Sequence, residues 1–167
     1  MSDELYRLGK LALALTFVGT GIICPSGGSA NAAAGGFAGT ALYALLARAL
    51  PQVDLSVLRA PAVWTVLLGS VADEILWRGW LTAPAVQKAV LPYAVVGSTL
   101  GFAFAHLPRQ GLRGAAVHLL TGAVFATVML VLGFAAAATA HVSYNLWVLM
   151  ARTGACRTGQ RGVRDGR

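Results

Sequence analysis

The stretch that decides the fold covers residues 61–81 and reads PAVWTVLLGSVADEILWRGWL. Its length matches the roughly 20 apolar residues that a helix needs to cross the hydrocarbon core of a bilayer. Three ionisable side chains, Asp73, Glu74 and Arg78, interrupt it. Charged groups at that depth are costly and usually mark a functional site. The stretch therefore predicts a membrane-spanning helix that carries such a site.

The composition of the whole chain also indicates a membrane protein. Of its 167 residues, 57% are hydrophobic and 11% are charged, and the mean hydropathy is +0.69. Soluble domains carry about 25% charged residues. The formal charge of +7 does not indicate nucleic-acid binding, because the basic residues lie in short loops and in the C-terminal tail. We expect one membrane-embedded domain, with the lipid bilayer as a partner and no nucleic acid.

Hydrophobic runs separated by Pro and Gly predict an all-α, polytopic bundle of about six transmembrane helices. The first run is interpreted as a span rather than a cleaved signal peptide, because Asp3 and Glu4 weaken the basic N-terminal region. Residues 1–151 would form a single transmembrane domain, and residues 152–167 a basic, disordered cytoplasmic tail. The helices are expected over residues 8–24, 30–50, 61–81, 92–106, 114–132 and 134–151.

The basic residues fall almost entirely on one side of this arrangement. Lys88 alone lies on the opposite side, and Arg78 lies inside the third helix. Cytoplasmic loops carry an excess of Lys and Arg, so both termini are expected in the cytoplasm of a multi-pass protein of the plasma or inner membrane. The residues on the cytoplasmic side are Arg7, Lys10, Arg48, Arg59, Arg109, Arg113, Arg152, Arg157, Arg161, Arg164 and Arg167.

Helical spacing divides the charged trio of the third helix into two parts. Glu74 and Arg78 are four residues apart, so they share a face and can form a buried ion pair. Asp73 projects from a different side and is left to face a cavity as the working carboxylate. The alternative is that all three side chains form one packing network without a catalytic role.

Two further polar fragments follow on later helices. His106 comes four residues after Phe102, and His141 and Asn145 are four apart on the last helix. His141 and Asn145 could donate hydrogen bonds to one oxygen, or they could hold helices together. One cavity in the cytoplasmic half of the bundle can collect Asp73 with these three residues. His118 has no polar partner at helical spacing, so it is predicted to be structural and away from that cavity.

The three fragments, DEILWR, FAFAH and HVSYN, resemble the motifs of a known family. Their order and spacing are similar to Glu-Glu-x-x-x-Arg, Phe-x-x-x-His and His-x-x-x-Asn in the CAAX protease and bacteriocin-processing family, also called CPBP or Abi. These are glutamic intramembrane proteases, and the resemblance covers about residues 67–150. It implies an intramembrane endopeptidase that cleaves a membrane-associated peptide or protein tail. Such a tail could be a prenylated C-terminus, a bacteriocin leader or a C-terminal sorting tail.

The resemblance also implies a role for each residue of the motifs. Asp73 and His106 would activate water, and His141 and Asn145 would stabilise the oxyanion. The family pattern needs no cofactor or metal, although two histidines with carboxylates could in principle bind zinc. The predicted catalytic set is thus Asp73, Glu74, His106, His141 and Asn145. Within it Glu74 would support the site, together with Arg78 and Phe102 outside the set.

One position departs from the family pattern, because Asp73 stands where the family has Glu. The aspartate is one methylene shorter, and catalysis is sensitive to a misplacement of about 1 Å. Either Asp73 works from a closer backbone, or Glu74 replaces it as the base, or the protein acts by binding alone. We favour Asp73. The competing hypotheses are a non-catalytic membrane immunity or scaffold protein and a small transporter subunit.

Overall fold

The structure is a computed structural model that describes most of the chain. At residues 55 and 153–164 it describes the backbone but not the side chains. Four α-helices form its framework: α1 (Ser29–Ala47), α2 (Pro61–Trp77), α3 (Leu91–Leu132) and α4 (Phe134–Arg164). The short 3₁₀ helices Leu55–Arg59 and Gly79–Thr82 flank α2. No strand occurs in the part of the chain described here, so the all-α expectation is confirmed for that part. The described residues are 10, 12–15, 28–48, 55–83, 86 and 88–164.

Two of the described helices, α1 and α3, are long and apolar enough to cross a membrane. Large apolar side chains on α3 point away from the protein interior. Tyr93, Phe104 and Leu112 are 77%, 62% and 82% exposed. An apolar surface of this kind suits contact with lipid rather than water.

Two glycines with positive φ separate the helices of the C-terminal half. Gly111 interrupts α3 with φ 66° and ψ −173°, and Gly133 lies between α3 and α4 with φ 88°. Glycine adopts these angles without the steric cost that a Cβ would bring. The predicted boundary at Gly133 is therefore present, and α3 consists of two helical segments that meet at Gly111.

Several predicted helix ends differ from the observed ones. The third predicted helix ends at Trp77 rather than at residue 81, and a 3₁₀ helix follows. The Trp77 carbonyl accepts a hydrogen bond from the Ser98 hydroxyl of α3, which takes the place of a further helical bond. The helix expected over 92–106 continues past Pro108 to the break at Gly111, although an interior proline removes one backbone donor and its ring crowds the carbonyl four residues earlier.

The two ends of the chain compare differently with the predictions. Of the helix expected over 8–24, residues 10 and 12–15 are helical and the remainder lies outside the described residues. The last helix was expected to end near residue 151, and its backbone continues to Arg164. The division into a domain over 1–151 and a tail over 152–167 stays a prediction.

The final helix α4 packs against each of the other three helices. Its contact with α1 is close because α1 presents Gly35 and Gly39, which lack side chains and let the two backbones approach. A Cβ at Gly35 would collide with the carbonyl of Ala136, and one at Gly39 with that of Ala140. This packing leaves the opposite face of α4, which carries His141 and Asn145, turned toward α2 and α3.

Candidate active site

A cavity of about 560 Å³ lies between α2, α3 and α4, within the range of about 300 to 1,000 Å³ typical of ligand-binding pockets. Four of the residues expected at the site line it: Asp73 from α2, His106 from α3, and His141 and Asn145 from α4. The three side chains expected to support the site are fully buried outside the cavity lining. They are Glu74, Arg78 and Phe102.

Asp73 reaches the cavity with its carboxylate paired to an ammonium group. Lys10 Nζ lies 2.8 Å from Asp73 Oδ1, and the side chains are 12% and 6% exposed, respectively. Ala14, one helical turn after Lys10, packs in the same buried cluster as Ala72, the residue before Asp73. Sequence spacing assigns Lys10 only to the cytoplasmic set of charges. No local pattern links it to Asp73, because only the packing of the N-terminal segment against α2 brings them together.

Glu74 and Arg78 form the buried ion pair that their spacing predicts. Arg78 NH1 lies 2.5 Å from Glu74 Oε1, and both side chains are 0% exposed. Two aromatic rings lie close to the guanidinium group, with Arg78 Cζ 4.5 Å from the centre of the Phe102 ring and 5.6 Å from that of Phe125. A desolvated cation over an aromatic face is stabilised by about 2 kcal/mol or more. Phe102 therefore has a direct role in holding Arg78.

His141 is bound to the same carboxylate oxygen. Its Nδ1 lies 2.8 Å from Glu74 Oε1, and its ring stacks on Phe125 with centres 4.7 Å apart. A carboxylate oxygen only accepts hydrogen bonds, so Nδ1 carries the proton. It follows that Nε2 is an acceptor in the neutral ring and a donor only when the ring is doubly protonated. Glu74 thus fixes both the orientation of His141 and which of its nitrogens faces other partners.

His106 is oriented by the backbone of its own helix. Its Nδ1 lies 2.8 Å from the carbonyl oxygen of Phe102, four residues earlier. A carbonyl can only accept, so Nδ1 donates and Nε2 carries the lone pair in the neutral ring. This tautomer leaves Nε2 able to take a proton from a water molecule. The His106 ring also packs against the Phe102 ring in a T-shaped arrangement, with the ring centres 4.7 Å apart.

His118 lies at the cavity as well, so the expectation that it would be away from it is wrong. Its ring stacks on that of His106 with centres 3.8 Å apart and planes inclined by 26°. Its Nε2 lies 3.1 Å from Gln110 Oε1. These partners lie across the break at Gly111, and spacing rules for a continuous helix do not reach across such a break. The sequence therefore offers no signal for this contact.

Asn145 lines the cavity and is held by α2. Its Nδ2 donates to Ser70 Oγ over 2.8 Å, and the Ser70 hydroxyl donates to the carbonyl of Val66 over 3.0 Å. Ser70 was not among the predicted site residues, although it lines the cavity and is 1% exposed. Its position three residues before Asp73, on the same helical face, is the signal that could have identified it.

The arrangement brings a carboxylate, three imidazoles and a carboxamide to one cavity. A carboxylate with a histidine can act as a general base toward water, and an amide N–H with an imidazolium N–H can stabilise an oxyanion. Among the residues that the structure describes, no three His, Cys, Asp or Glu side chains form a group able to hold a metal ion.

Comparison with known protein families gives a match that covers more than half of the chain. A family model described as type II CAAX prenyl endopeptidase, Rce1-like, matches residues 56–147. The matched region contains all of the predicted site residues and excludes Lys10 and Arg152. No curated protein and no solved structure matches the chain.

Proposed function

The chain belongs to the Rce1-like family of type II CAAX prenyl endopeptidases, and we propose that it is an intramembrane endopeptidase whose site is the cavity between α2, α3 and α4. The observation that carries this proposal is the shared lining of that cavity. Asp73, His106, His141 and Asn145 come from three helices and all face one space. Its substrate is a membrane-associated peptide or protein tail.

Water activation is assigned to Asp73 and His106. A water molecule held between them gives a proton to His106 Nε2 or to the Asp73 carboxylate as its oxygen attacks the scissile carbonyl. The bond between water oxygen and carbonyl carbon forms, and the carbonyl oxygen becomes an oxyanion. The abstracted proton then passes to the amide nitrogen as the carbon–nitrogen bond breaks. The reaction consumes one water molecule and gives a carboxylic acid and an amine, so it needs no other reactant.

Stabilisation of the oxyanion is assigned to His141 and Asn145. The carboxamide Nδ2 of Asn145 has a second hydrogen to donate beside the one directed at Ser70. His141 can donate from Nε2 in its doubly protonated form, while Nδ1 on the other side of the ring donates to the Glu74 carboxylate, which also pairs with Arg78. Removing one donor of this kind from a hydrolase typically costs a factor of about 10² to 10³ in kcat.

Asp73 is favoured over Glu74 as the water-activating carboxylate. Glu74 is fully buried, and its Oε1 is already occupied by Arg78 and His141. Asp73 belongs to the cavity lining, and Glu74 does not. The aspartate in place of the family glutamate is thus compatible with catalysis, in which Asp73 works from the cavity wall while Glu74 orients His141.

In the membrane, we propose six spans with both termini in the cytoplasm of a plasma-membrane or inner-membrane protein. The two segments of α3 on either side of Gly111 are each about 20 residues long, enough for one span apiece. The Lys and Arg distribution supports the orientation. The cavity then lies in the cytoplasmic half, with Arg109, Arg113 and Arg152 at its cytoplasmic end.

The proposal is tested with purified protein in lipid vesicles and an internally quenched, prenylated CAAX peptide. We expect the wild-type protein to cleave the peptide and Asn145→Ala to cleave it at least about a hundredfold more slowly. The matched control is Asn31→Ala, which removes a carboxamide from α1 that is not part of the cavity lining. Equal cleavage by the wild type and Asn145→Ala would contradict the assigned site.

A second candidate function is supported by the ion pair between Lys10 and Asp73. An ammonium group 2.8 Å from the carboxylate competes with water for it, which suits a family member that acts by binding alone, as an immunity or scaffold protein. This alternative predicts that no prenylated peptide is cleaved. It also predicts that Asp73→Asn leaves the immunity or scaffold function in the cell unchanged.

A further inference from the structure

Tyr144 lies inside the third motif, at a position that the family pattern leaves open. It stands three residues after His141 and one residue before Asn145. All three side chains line the cavity, as does that of Val148. Spacings of three and four residues keep this set on one face of α4. The catalytic scheme gives roles to His141 and Asn145 and leaves Tyr144 without one.

The phenol hydroxyl of Tyr144 is available to a bound molecule. Among the residues that the structure describes, no group forms a hydrogen bond with it. It is also not one of their enclosed polar atoms that lack a partner, so it reaches accessible space at the cavity that the residue lines. The side chain is otherwise buried, with 8% of the residue exposed, and the hydroxyl of a buried tyrosine usually finds a hydrogen-bond partner. That partner is therefore expected on the molecule that enters the cavity.

Packing on two sides holds the ring of Tyr144. The rings of Tyr43 in α1 and Phe125 in α3 meet it in T-shaped contacts, with centres 6.1 Å and 6.2 Å away. Phe125 also stacks on His141, with ring centres 4.7 Å apart. One aromatic side chain thus helps to position both Tyr144 and His141. Donors held in place before the reaction are the ones that stabilise a developing charge most effectively.

The hydrogen bonds already present limit the donors that the site offers to an oxyanion. His141 Nδ1 is directed at Glu74, so the neutral ring presents Nε2 as an acceptor. Asn145 directs one amide hydrogen at Ser70, which leaves one to donate. A phenol keeps its proton near neutral pH, because its ordinary pKa is about 10. Tyr144 can therefore supply a donor that does not depend on the protonation state of His141.

We propose that Tyr144 is a further catalytic residue, whose hydroxyl donates a hydrogen bond to the oxyanion formed when water attacks the scissile carbonyl. Tyrosine side chains are among the donors that form oxyanion holes in enzymes. The phenol keeps its proton throughout, so no covalent bond forms or breaks at Tyr144. This inference rests on the proposed endopeptidase function and adds a third donor to the two already assigned.

Two other roles of Tyr144 have different consequences. A side chain that only fills the space between α1, α3 and α4 needs its ring and not its hydroxyl. A hydroxyl that binds the peptide equally well before and during the reaction lowers KM without raising kcat. Tyr144→Phe separates the three roles, because it keeps the ring and removes the hydroxyl alone.

The test measures kcat and KM of Tyr144→Phe on the prenylated CAAX peptide in phosphatidylcholine vesicles. We expect kcat to fall about a hundredfold, as is typical for the loss of one oxyanion donor, and KM to change by less than about twofold. The matched control is Tyr43→Phe, which removes a phenol hydroxyl from the same buried cluster but outside the cavity lining. It should keep the wild-type kcat and KM. An unchanged kcat in Tyr144→Phe, whatever its KM, would overturn the proposal.

A binding measurement keeps this inference separate from the proposed function. It uses two uncleavable forms of the same labelled peptide. One carries a phosphinate at the scissile position, with a charged oxygen on a tetrahedral centre, and the other carries a neutral ketomethylene group. By fluorescence anisotropy, we expect the wild type to bind the phosphinate at least about tenfold more tightly than the ketomethylene form. Tyr144→Phe should lose most of this preference, and Tyr43→Phe should keep it.

The outcomes of the two measurements are distinguishable. If the wild type cleaves no peptide but prefers the phosphinate, and Tyr144→Phe lacks that preference, the endopeptidase function fails and the donor role stands. If the preference is absent from the wild type or unchanged in Tyr144→Phe, the donor role is refuted even where the wild type cleaves.

Discussion

Lys10 and Asp73 form an ion pair with Nζ 2.8 Å from Oδ1, in which both side chains are nearly buried. The pair joins the N-terminal segment, outside the region that matches the family, to the carboxylate assigned to water activation. Lys10 acts as a positioning residue in this account. It holds the shorter aspartate side chain in place and balances its charge at a site of low polarity.

Replacing Lys10 should therefore affect both stability and activity. Lys10→Met leaves the Asp73 carboxylate without its counter-ion, so we expect a lower melting temperature and a lower kcat. Lys10→Arg keeps the charge and should recover most of both. The measurements are a thermal melt in detergent and peptide cleavage in vesicles, with Lys88→Met as the control at an exposed lysine. Faster cleavage by Lys10→Met would instead identify Lys10 as an inhibitor of the site.

The helical motifs and the Glu74–Arg78 pair could be predicted because they depend on residues close in the chain. An i,i+4 pair, a glycine break and small residues at four-residue spacing are local features. The contact between Lys10 and Asp73 and the stack of His118 on His106 depend on how separate helices meet. Local spacing carries no information about such contacts. The sequence therefore predicts Lys10 only as a basic residue on the cytoplasmic side, and His118 only as a structural residue away from the cavity.

Replacing Glu74 should mainly lower the free energy of unfolding. Its side chain is completely buried between Arg78 and His141, and Glu74→Gln removes the negative charge that balances the guanidinium group. Breaking a buried pair of this kind costs about 3 to 5 kcal/mol. Chemical denaturation in mixed micelles measures the change. Glu74→Asp is the comparison, since it keeps the charge, and a Glu74→Gln protein as stable as the wild type would exclude the proposed role.

His118 should matter through its contact with His106. His118→Ala removes the stacked ring, and we expect kcat to fall about ten- to hundredfold because His106 loses its position. His118→Phe keeps an aromatic ring that can stack on His106, as the wild-type ring does at 3.8 Å, and should retain more activity than the alanine variant. Equal kcat values for the wild type and both variants would mean that the stack has no influence on catalysis.

Gly114 gives an independent test of the same contact. A Cβ at this position would collide with the side chain of Gln110, whose Oε1 accepts the hydrogen bond of His118. Gly114→Ala should thus lower kcat without touching His106 directly. Gly97→Ala, where a Cβ meets nothing within 4 Å, is the matched control and should behave like the wild type.

The orientation in the membrane can be checked with reporter fusions. A reporter fused after Arg167 should report the cytoplasm, and one inserted after Lys88 should report the opposite side, because Lys and Arg concentrate on cytoplasmic segments. A C-terminal reporter on the same side as the one after Lys88 would show that the number of spans between these positions is even rather than the expected three.

The most direct test of the central claim is the cleavage rate of Asp73 variants on the prenylated peptide. Asp73→Asn keeps the size of the side chain and removes its ability to accept a proton, so we expect cleavage to be abolished in a protein that still folds. Asp73→Glu restores the family residue and should cleave at least as well as the wild type if the 560 Å³ cavity accepts one more methylene. Full cleavage by Asp73→Asn, with loss of cleavage in a folded Glu74→Gln, would contradict the account and identify Glu74 as the base.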